Sequence, residues 1–589
     1  MATPQTNVEE VETDVLVIGA GGAGMRGAIA ASEAGLQVLV VCKSLLGKAH
    51  TVMAEGGMAA ALGNVARPDS WKTHFSDTMQ GGKLLNNWRM AEMHAKEAPA
   101  RVLELERWGA VFDRNHEGLI HQRSFGGHTY PRLAHIGDRT GLELIRSLQD
   151  HLVHQPGVTV HMETTCTRLL VQDGRVQGAL AYRRLDGALI VYRAKAVLLA
   201  SGGLGKIYRV TSNSWESTGD GAAMALNAGA ILMDCEMVQF HPTGMVWPPG
   251  VRGILVTEGV RGEGGLLFNN QDERFMEKYD KARMELSTRD IVARSINQEV
   301  LEGRGSPHGG AFLQISHKPR DFILNKLPSM YEQFHTLADI DITKERMEVA
   351  PTIHYSMGGV RVEPENGSTN LEGLFAAGEV ACGLHGANRL GGNSLSDLLV
   401  FGKRAGDGAA AYVEKGLRAQ PVSQAQVHDF ITYTLDPLRE NGNENPYHLH
   451  EELQDTLTRY APIIRDDAGL RIGLEKVKEL QERAAKVGTG GNGGRSFNPG
   501  WHAALDLKSM VDNAEGVFLC AIERRESRGA HTRRDYPDLD LELGQLDFVV
   551  QKGGEGKDLD LDSIQKEPIP EEYQEIIDST WTKDYTRED

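Results

Sequence analysis

Three glycines carry the clearest chemical capacity in this chain. Gly19, Gly21 and Gly24 lie in DVLVIGAGGAGMRGAIAASEAGLQVLVVCK, on a G-x-G-x-x-G that follows one apolar run and opens an Ala-rich one. At a strand-to-helix turn this spacing lets the backbone approach a pyrophosphate at the helix N-terminus, so a dinucleotide site is expected. About 20 residues further on, an acid would bind an adenosine ribose. Cys42-Lys43-Ser44 stands there instead, which weakens an NAD reading more than an FAD one.

These glycines need a scaffold, and the pattern supplies one. The segment from Asp14 predicts a βαβ unit with its helix ending at Gly35, and the runs Val15–Ile18, Val38–Val41 and Val197–Ala200 have strand length. Two further glycine segments, 189–208 and 370–395, read as returns to the same sheet. Between them the charge and helical patterning rise, as in an inserted second domain, and a ligand site is expected at the junction. EELQDTLTRYAPIIR and GLEKVKELQERAAKV space their apolar residues by three and four, predicting a helical region. The last 39 residues carry 12 acids and 5 bases, read as a surface-lying or partner-covering tail. The fold class is thus α/β. Its expected division is a dinucleotide-binding domain over 1–238 and 354–420, an α+β capping domain over 239–353, a helical domain over 421–540 and an acidic tail over 541–589.

Composition narrows the functions available. The 589 residues hold 63 bases and 81 acids, a net charge of −18, which opposes nucleic acid as a partner. The 67 glycines are about 11% against a usual ~7% and cluster in motifs, as tight turns and ligand approach require. Five scattered cysteines without C-x-x-C spacing predict no disulfide framework, no metal site and no iron–sulfur cluster. The acidic start MATPQTNVEEVE has no basic or apolar leader region, so a cytoplasmic location is expected, and no apolar run reaches the ~20 residues of a membrane span.

The motifs GAGGAG, KAHTVMAEGG, HPTG, TEGVRGEGG, STRD, HYSMGG, GEVACGLHGANRLGGNSL and ESRGAHTR occur in that order. Together they make the chain, from about residue 12 to 545, closely resemble the flavoprotein subunit of succinate dehydrogenases and fumarate reductases. The resemblance implies FAD bonded covalently at its 8α carbon to His50, a link that raises flavin potential enough to oxidise a saturated C–C bond. It also implies cofactor contacts from Thr51 and Gly57 in the same motif, and from Lys43, Ser44, Asp220, Glu379, Ser394 and Leu395.

For a substrate with two carboxylates, the resemblance assigns a clamp to His241, Thr257, His354 and Arg389, with Arg389 gripping one carboxylate bidentately. Arg289 is implied as the catalytic proton donor and acceptor. In S-T-R-D, Ser287 or Thr288 can cap a helix with Asp290 in its first turn, which places Arg289 at the positive end of the dipole, an unusual seat for a structural cation. Glu258 and Arg261, three apart, match the family's proton relay; without the motif they would read as a surface ion pair. The mechanism implied is hydride transfer between C2 of succinate and flavin N5, with Arg289 exchanging the C3 proton.

Partners follow from the same resemblance: a membrane anchor, a flavinylation assembly factor and an iron–sulfur subunit, with the chain peripheral at the cytoplasmic face of the membrane. Succinate dehydrogenase is the expected function, with a fumarate reductase or an L-aspartate oxidase as alternatives. His50 argues against the oxidase, which usually binds FAD without a covalent bond. The lack of C-x-x-C-H and of an export signal opposes a soluble haem-containing fumarate reductase. A flavin module that only passed electrons would not need the dicarboxylate clamp. Glu55, in H-T-V-M-A-E-G-G, tilts the reading toward fumarate reduction, since a carboxylate near the flavin lowers its potential.

Overall fold

The computed structural model describes residues 8–416, 422–439, 442–489, 494–553 and 558–585. Val8–Ile18 forms the centre of a seven-stranded sheet, flanked in parallel by Val38–Val41 and by Leu189–Leu199. Val158–His161 extends it on one side and Leu374–Ala376 pairs in parallel with Leu189–Leu199. Arg175–Arg183 and Thr164–Gln172 add antiparallel strands at the other edge. Val15, Leu16 and Val17 are fully buried, so the apolar run is covered on both faces, as a parallel strand requires. Both later glycine segments return to this sheet.

The helix Gly22–Glu33 starts at the end of the central strand, and Asn393–Glu414 packs across it. Glycine makes that crossing possible. A Cβ on Gly406 would lie 2.3 Å from the Gly27 carbonyl oxygen, and one on Gly27 would lie 3.1 Å from that of Gly402.

The stretch between the glycine segments builds a four-stranded antiparallel sheet from Val238–Met245, Met347–Ser356, Ala311–Gln314 and Leu266–Phe268. It has an apolar core of its own, including Val260, Phe275, Val292, Ile296 and Phe334. Its first and last strands carry His241 and His354, so the edges of this region are also its functional part.

Pro446–Tyr460, Asp467–Ala484 and Pro499–Glu523 form the C-terminal helices, the two charged amphipathic segments among them. Asn445, Asp466 and Asn498 cap them through side-chain acceptors. The acidic end, expected as a surface-lying or partner-covering tail, is built into two strands and a helix. Leu546–Lys552 and Leu559–Gln565 pair as a hairpin and join a sheet with Leu232–Met233 and Gly359–Val360. Beyond it, Glu571–Tyr585 buries Ile577 completely, and the Tyr573 hydroxyl donates to Glu92 at 2.8 Å. Phe548 and Val550 join the main core and Val549 is buried as well, while Asp560 and Asp562 of the second strand are exposed.

The ESRGAHTR motif has a structural task. Arg524, fully buried at the end of the longest C-terminal helix, pairs with Asp234 at 2.9 Å, Glu526 at 3.2 Å and Glu236, while Arg528 holds Glu526 at 2.7 Å. This clasp ties the helices to the body of the molecule.

Candidate active site

A cavity of about 1310 Å³, open solvent at its mouth included, runs from the glycine turn to the edge of the four-stranded sheet. Gly19, Gly21, Lys43, Ser44, His50, Thr51, Asp220, His354, Glu379, Ser394 and Leu395 line it. Gly19 has φ +115°, and a Cβ there would fall 2.2 Å from the Ala200 carbonyl oxygen. The helix that starts beside it has no side-chain cap and no acid in its first turn, leaving its positive end to an anion. Ser201 Oγ, Ser214 Oγ and Glu216 Oε1 are buried around the cavity without a hydrogen-bond partner. An elongated void with a phosphate cradle and orphaned polar atoms along its wall fits an FAD.

Two of the expected cofactor glycines lie off the cavity wall. Gly24 meets the Gly19 carbonyl oxygen at 1.9 Å from its would-be Cβ, so it serves helix-to-strand packing. Gly57 has φ +131° and abuts Ala134 and Leu133. Lys43 is held from three sides, by Thr218 at 2.9 Å, Asp220 at 3.3 Å and Asp506 at 2.8 Å. Asp506 comes from the helix Pro499–Glu523, a link with no motif to announce it.

His50 sits in a tight helical turn, His50–Met53, and its Nδ1 accepts the Ser214 N–H at 3.3 Å. Burial, then the charges of Arg389 and Lys206, push it down to about 4, so the imidazole is neutral and nucleophilic at physiological pH. Its loop is fixed by Arg123, which donates to the carbonyls of Gly56 at 2.7 Å, Glu55 at 2.9 Å and Gly137 at 2.7 Å. Glu55 lies on the same loop, with Oε2 buried and without a hydrogen-bond partner. Its carboxyl is pushed well above the usual range by burial and then by Asp138, which opposes the charge expected for it from the sequence.

The remaining residues converge beside His354. The rings of His354 and His50 are 6.3 Å apart, and those of His354 and His241 are 5.1 Å apart. Burial first and the charge of Arg289 or Arg389 next hold both His241 and His354 well below the usual histidine value. Ser212 Oγ lies 2.8 Å from His354 Nδ1, which fixes the ring. Thr257 is buried at the start of the segment that carries Glu258.

Arg289 opens the helix Arg289–Leu301, with Thr288 at the N-cap position and Asp290 in the first turn. The Thr288 side chain makes no capping bond. Arg289 Nε donates to Glu258 Oε2 at 2.7 Å, and Glu258 Oε1 accepts the Gly126 N–H at 2.8 Å. Arg261 Nη2 stands 3.7 Å from Glu258, both side chains fully buried, so this pair is no surface salt bridge. Burial opposes the Glu258 charge, but Arg289 and Arg261 outweigh it and keep the carboxyl below its ordinary value.

Arg389 is 2% exposed and, among the described residues, in no ion pair. Its Nη1 donates to Ser394 Oγ at 2.9 Å, while Nε and Nη2 have no partner. Burial, then repulsion from Arg289, pushes it down to about 9. Gln239 ties the two arginines: its Oε1 accepts from Arg289 at 3.3 Å and its Nε2 donates to the Arg389 carbonyl at 2.7 Å. The available signal for Gln239 was strand alternation, since it stands two residues before His241 in Val238–Met245.

A sequence-family model described as "FAD binding domain" matches residues 14–395, and one described as "Fumarate reductase flavoprotein C-term" matches 450–567. A Methanothermobacter marburgensis protein, named as one subunit of fumarate reductase (CoM/CoB), is 45% identical over 534 residues, 90% of this chain and 95% of its own. The succinate dehydrogenase flavoprotein subunit of Rickettsia bellii is 38% identical over 558 residues, 91% of this chain and 92% of its own. Among solved structures, Mycobacterium smegmatis Sdh1 in complex with UQ1 is 52% identical with a TM-score of 0.86, covering 96% of this chain and 95% of that one.

Proposed function

The chain belongs to the family of succinate dehydrogenase and fumarate reductase flavoprotein subunits, and from that premise we propose that it interconverts succinate and fumarate as the flavoprotein subunit of a succinate dehydrogenase. The observation that carries this reading is the pair of buried arginines beside the cavity, one bound to Glu258 and one with two free donors. A dicarboxylate needs a cation to grip it, and its oxidation needs a separate group to exchange a proton.

Bound FAD supplies the acceptor for the hydride taken from the substrate. The helix at Gly22 would carry the pyrophosphate, and neutral His50 would form the covalent bond. His241, Thr257 and His354 hold one carboxylate, and Arg389 takes the other with Nε and Nη2. Arg289 exchanges the proton at the adjacent carbon, and Glu258 and Arg261 pass it onward. Residues 239–353 act as the capping domain over the flavin domain of 1–238 and 354–420, with the helical domain over 421–540 and the acidic end over 541–589. Electrons leave to an iron–sulfur subunit, which together with a membrane anchor places the chain at the cytoplasmic face of the membrane, and an assembly factor assists attachment of the flavin. Among the described residues no helix is long and apolar enough to cross a membrane. The fumarate reductase name of the 45% identical relative supports a second reading, work mainly in the reducing direction.

The test is a native-membrane preparation of the complex, assayed for succinate oxidation and fumarate reduction and then acid-precipitated. The protein band should keep yellow, fluorescent flavin, and His50→Ala should lose it. A colourless wild-type band from flavin-replete cells removes the covalent link, and absence of both activities removes the substrate assignment.

A further inference from the structure

A guanidinium buried without a counter-ion is costly, since neither water nor a carboxylate repays its desolvation. Arg389 is in that position, and what faces it is an aromatic ring. Its guanidinium carbon lies 4.5 Å from the centre of the Tyr355 ring, over the face. The Tyr355 hydroxyl donates to Asp397 Oδ2 at 3.4 Å, and His385 Nε2 stands 3.7 Å from the same oxygen. The His385 ring meets the Tyr355 ring edge-on at 5.1 Å. All four side chains are buried.

A ring face and a carboxylate stabilise an arginine in different directions. A carboxylate takes the in-plane N–H donors, as Glu258 does from Arg289. A ring stabilises the cation from above and leaves those donors open. Asp397 is set behind the ring, where it anchors the hydroxyl and makes no ion pair with Arg389. Burial, with Asp397 next, holds the phenol well above its usual pKa, so it remains a donor.

We propose that Tyr355, anchored by Asp397, is the positioning residue that keeps Arg389 charged, fixed and free for an incoming carboxylate. It directly follows His354 on the strand Met347–Ser356, so one strand end sets both halves of the anion grip. The inference rests on the dicarboxylate reading above and adds a residue that the motif did not assign to it.

The test compares Tyr355→Phe, Tyr355→Leu and Asp397→Asn in the flavin-loaded complex, alone and combined with Arg389→Lys. Malonate affinity is read by calorimetry and fumarate KM and kcat by assay. Tyr355→Leu should weaken malonate and raise KM by about 10- to 100-fold, the scale of a desolvated cation–π contact, with kcat changed far less. Tyr355→Phe, which keeps the ring but loses the anchored hydroxyl, should recover most but not all of the affinity that Tyr355→Leu loses, and Asp397→Asn, whose amide oxygen can still accept the hydroxyl, should cost no more. In the Arg389→Lys background, Tyr355→Leu should cost little more, because the two residues act as one unit. Equal losses in both backgrounds, or a fall in kcat at unchanged KM, overturn the proposal. If Tyr355→Leu fails to retain flavin, the Tyr355→Phe and Asp397→Asn pair decides: an unchanged KM in Tyr355→Phe, where the anchor is gone, overturns it. A wild-type complex that binds no malonate refutes the dicarboxylate reading instead, so the two failures are distinct.

Discussion

Arg289 and Arg389 are the same side chain at similar depth, 7% and 2% exposed, on opposite sides of Gln239. Arg289 stands at the start of a helix of the four-stranded-sheet region and is neutralised by Glu258. Arg389 stands in a glycine loop before the helix Asn393–Glu414 and has only a hydroxyl, a carbonyl and a ring around it. A cation already satisfied by a carboxylate has little affinity left for a second one, but it has a partner with which to share a proton. A cation with two open donors is the reverse. On the function proposed above, the neighbours alone divide one residue type between proton exchange and binding.

The largest effect should come from Arg289→Lys. Charge is preserved, so malonate affinity should survive within roughly tenfold, while turnover falls by about 10²–10⁴, the scale for displacing a positioned acid–base group. Near-normal turnover with flavin attached would break the division at once. Glu258→Gln should lower turnover by roughly 10- to 100-fold, a milder loss of the same kind. It also leaves Arg289 and Arg261 without their counter-charge, so the denaturation midpoint should drop, reflecting a loss of about 3–5 kcal/mol of stability if the two cations stay charged. Arg389→Lys should sharpen the contrast from the other side. It keeps the charge and loses the fork, so KM and malonate dissociation should rise by roughly 10- to 100-fold with a smaller change in kcat.

How far these roles were legible depends on whether a side chain acts through a motif or through a fold contact. The glycine turn, His50, Arg289 and Arg389 lie in short unusual strings, while strand-length apolar runs marked the central strands and three–four apolar spacings the C-terminal helices. Tyr355, Asp397, Gln239 and Arg123 act across chain separations that only folding closes; Arg123, for instance, reaches back 67 residues to the Gly56 carbonyl. Asp506 reaches Lys43 across 463 residues. At the acidic end net charge reports exposed positions such as Asp560 and Asp562, and says nothing of the strand pairing or of Phe548 and Val550, which pack. Glu55 shows a related limit: its residue type fixes the charge it can carry, while burial opposes that charge.

The smallest effect is the response to acid, and it separates the two ends by pH. His241 and His354 at the binding end have folded pKa values well below 6.5. Such a histidine binds fewer protons folded than unfolded, so its contribution to stability is full above ~6.5 and is lost as pH falls toward the folded value. Glu258 at the proton end has a folded pKa below 4.5, so its contribution stays intact until pH drops beneath that value. Burial raises the carboxyls of Glu55 and Glu379, the latter to about 7, so those two add stability as pH falls. Against that opposite slope, His241 and His354 should pull the urea midpoint of the substrate-free protein down as pH falls from about 6.5 to 5. His94 and His128, each pushed down to about 3 chiefly by burial, add slope of the same sign elsewhere in the fold. The informative quantity is consequently a difference between variants. His354→Gln should make the midpoint less steep across this window, while Glu258→Gln, though less stable throughout, should keep the wild-type slope there. A Glu258→Gln enzyme with the flatter curve, beside a His354→Gln enzyme with the wild-type one, would mean that the charges of the two ends are not arranged as their neighbours imply.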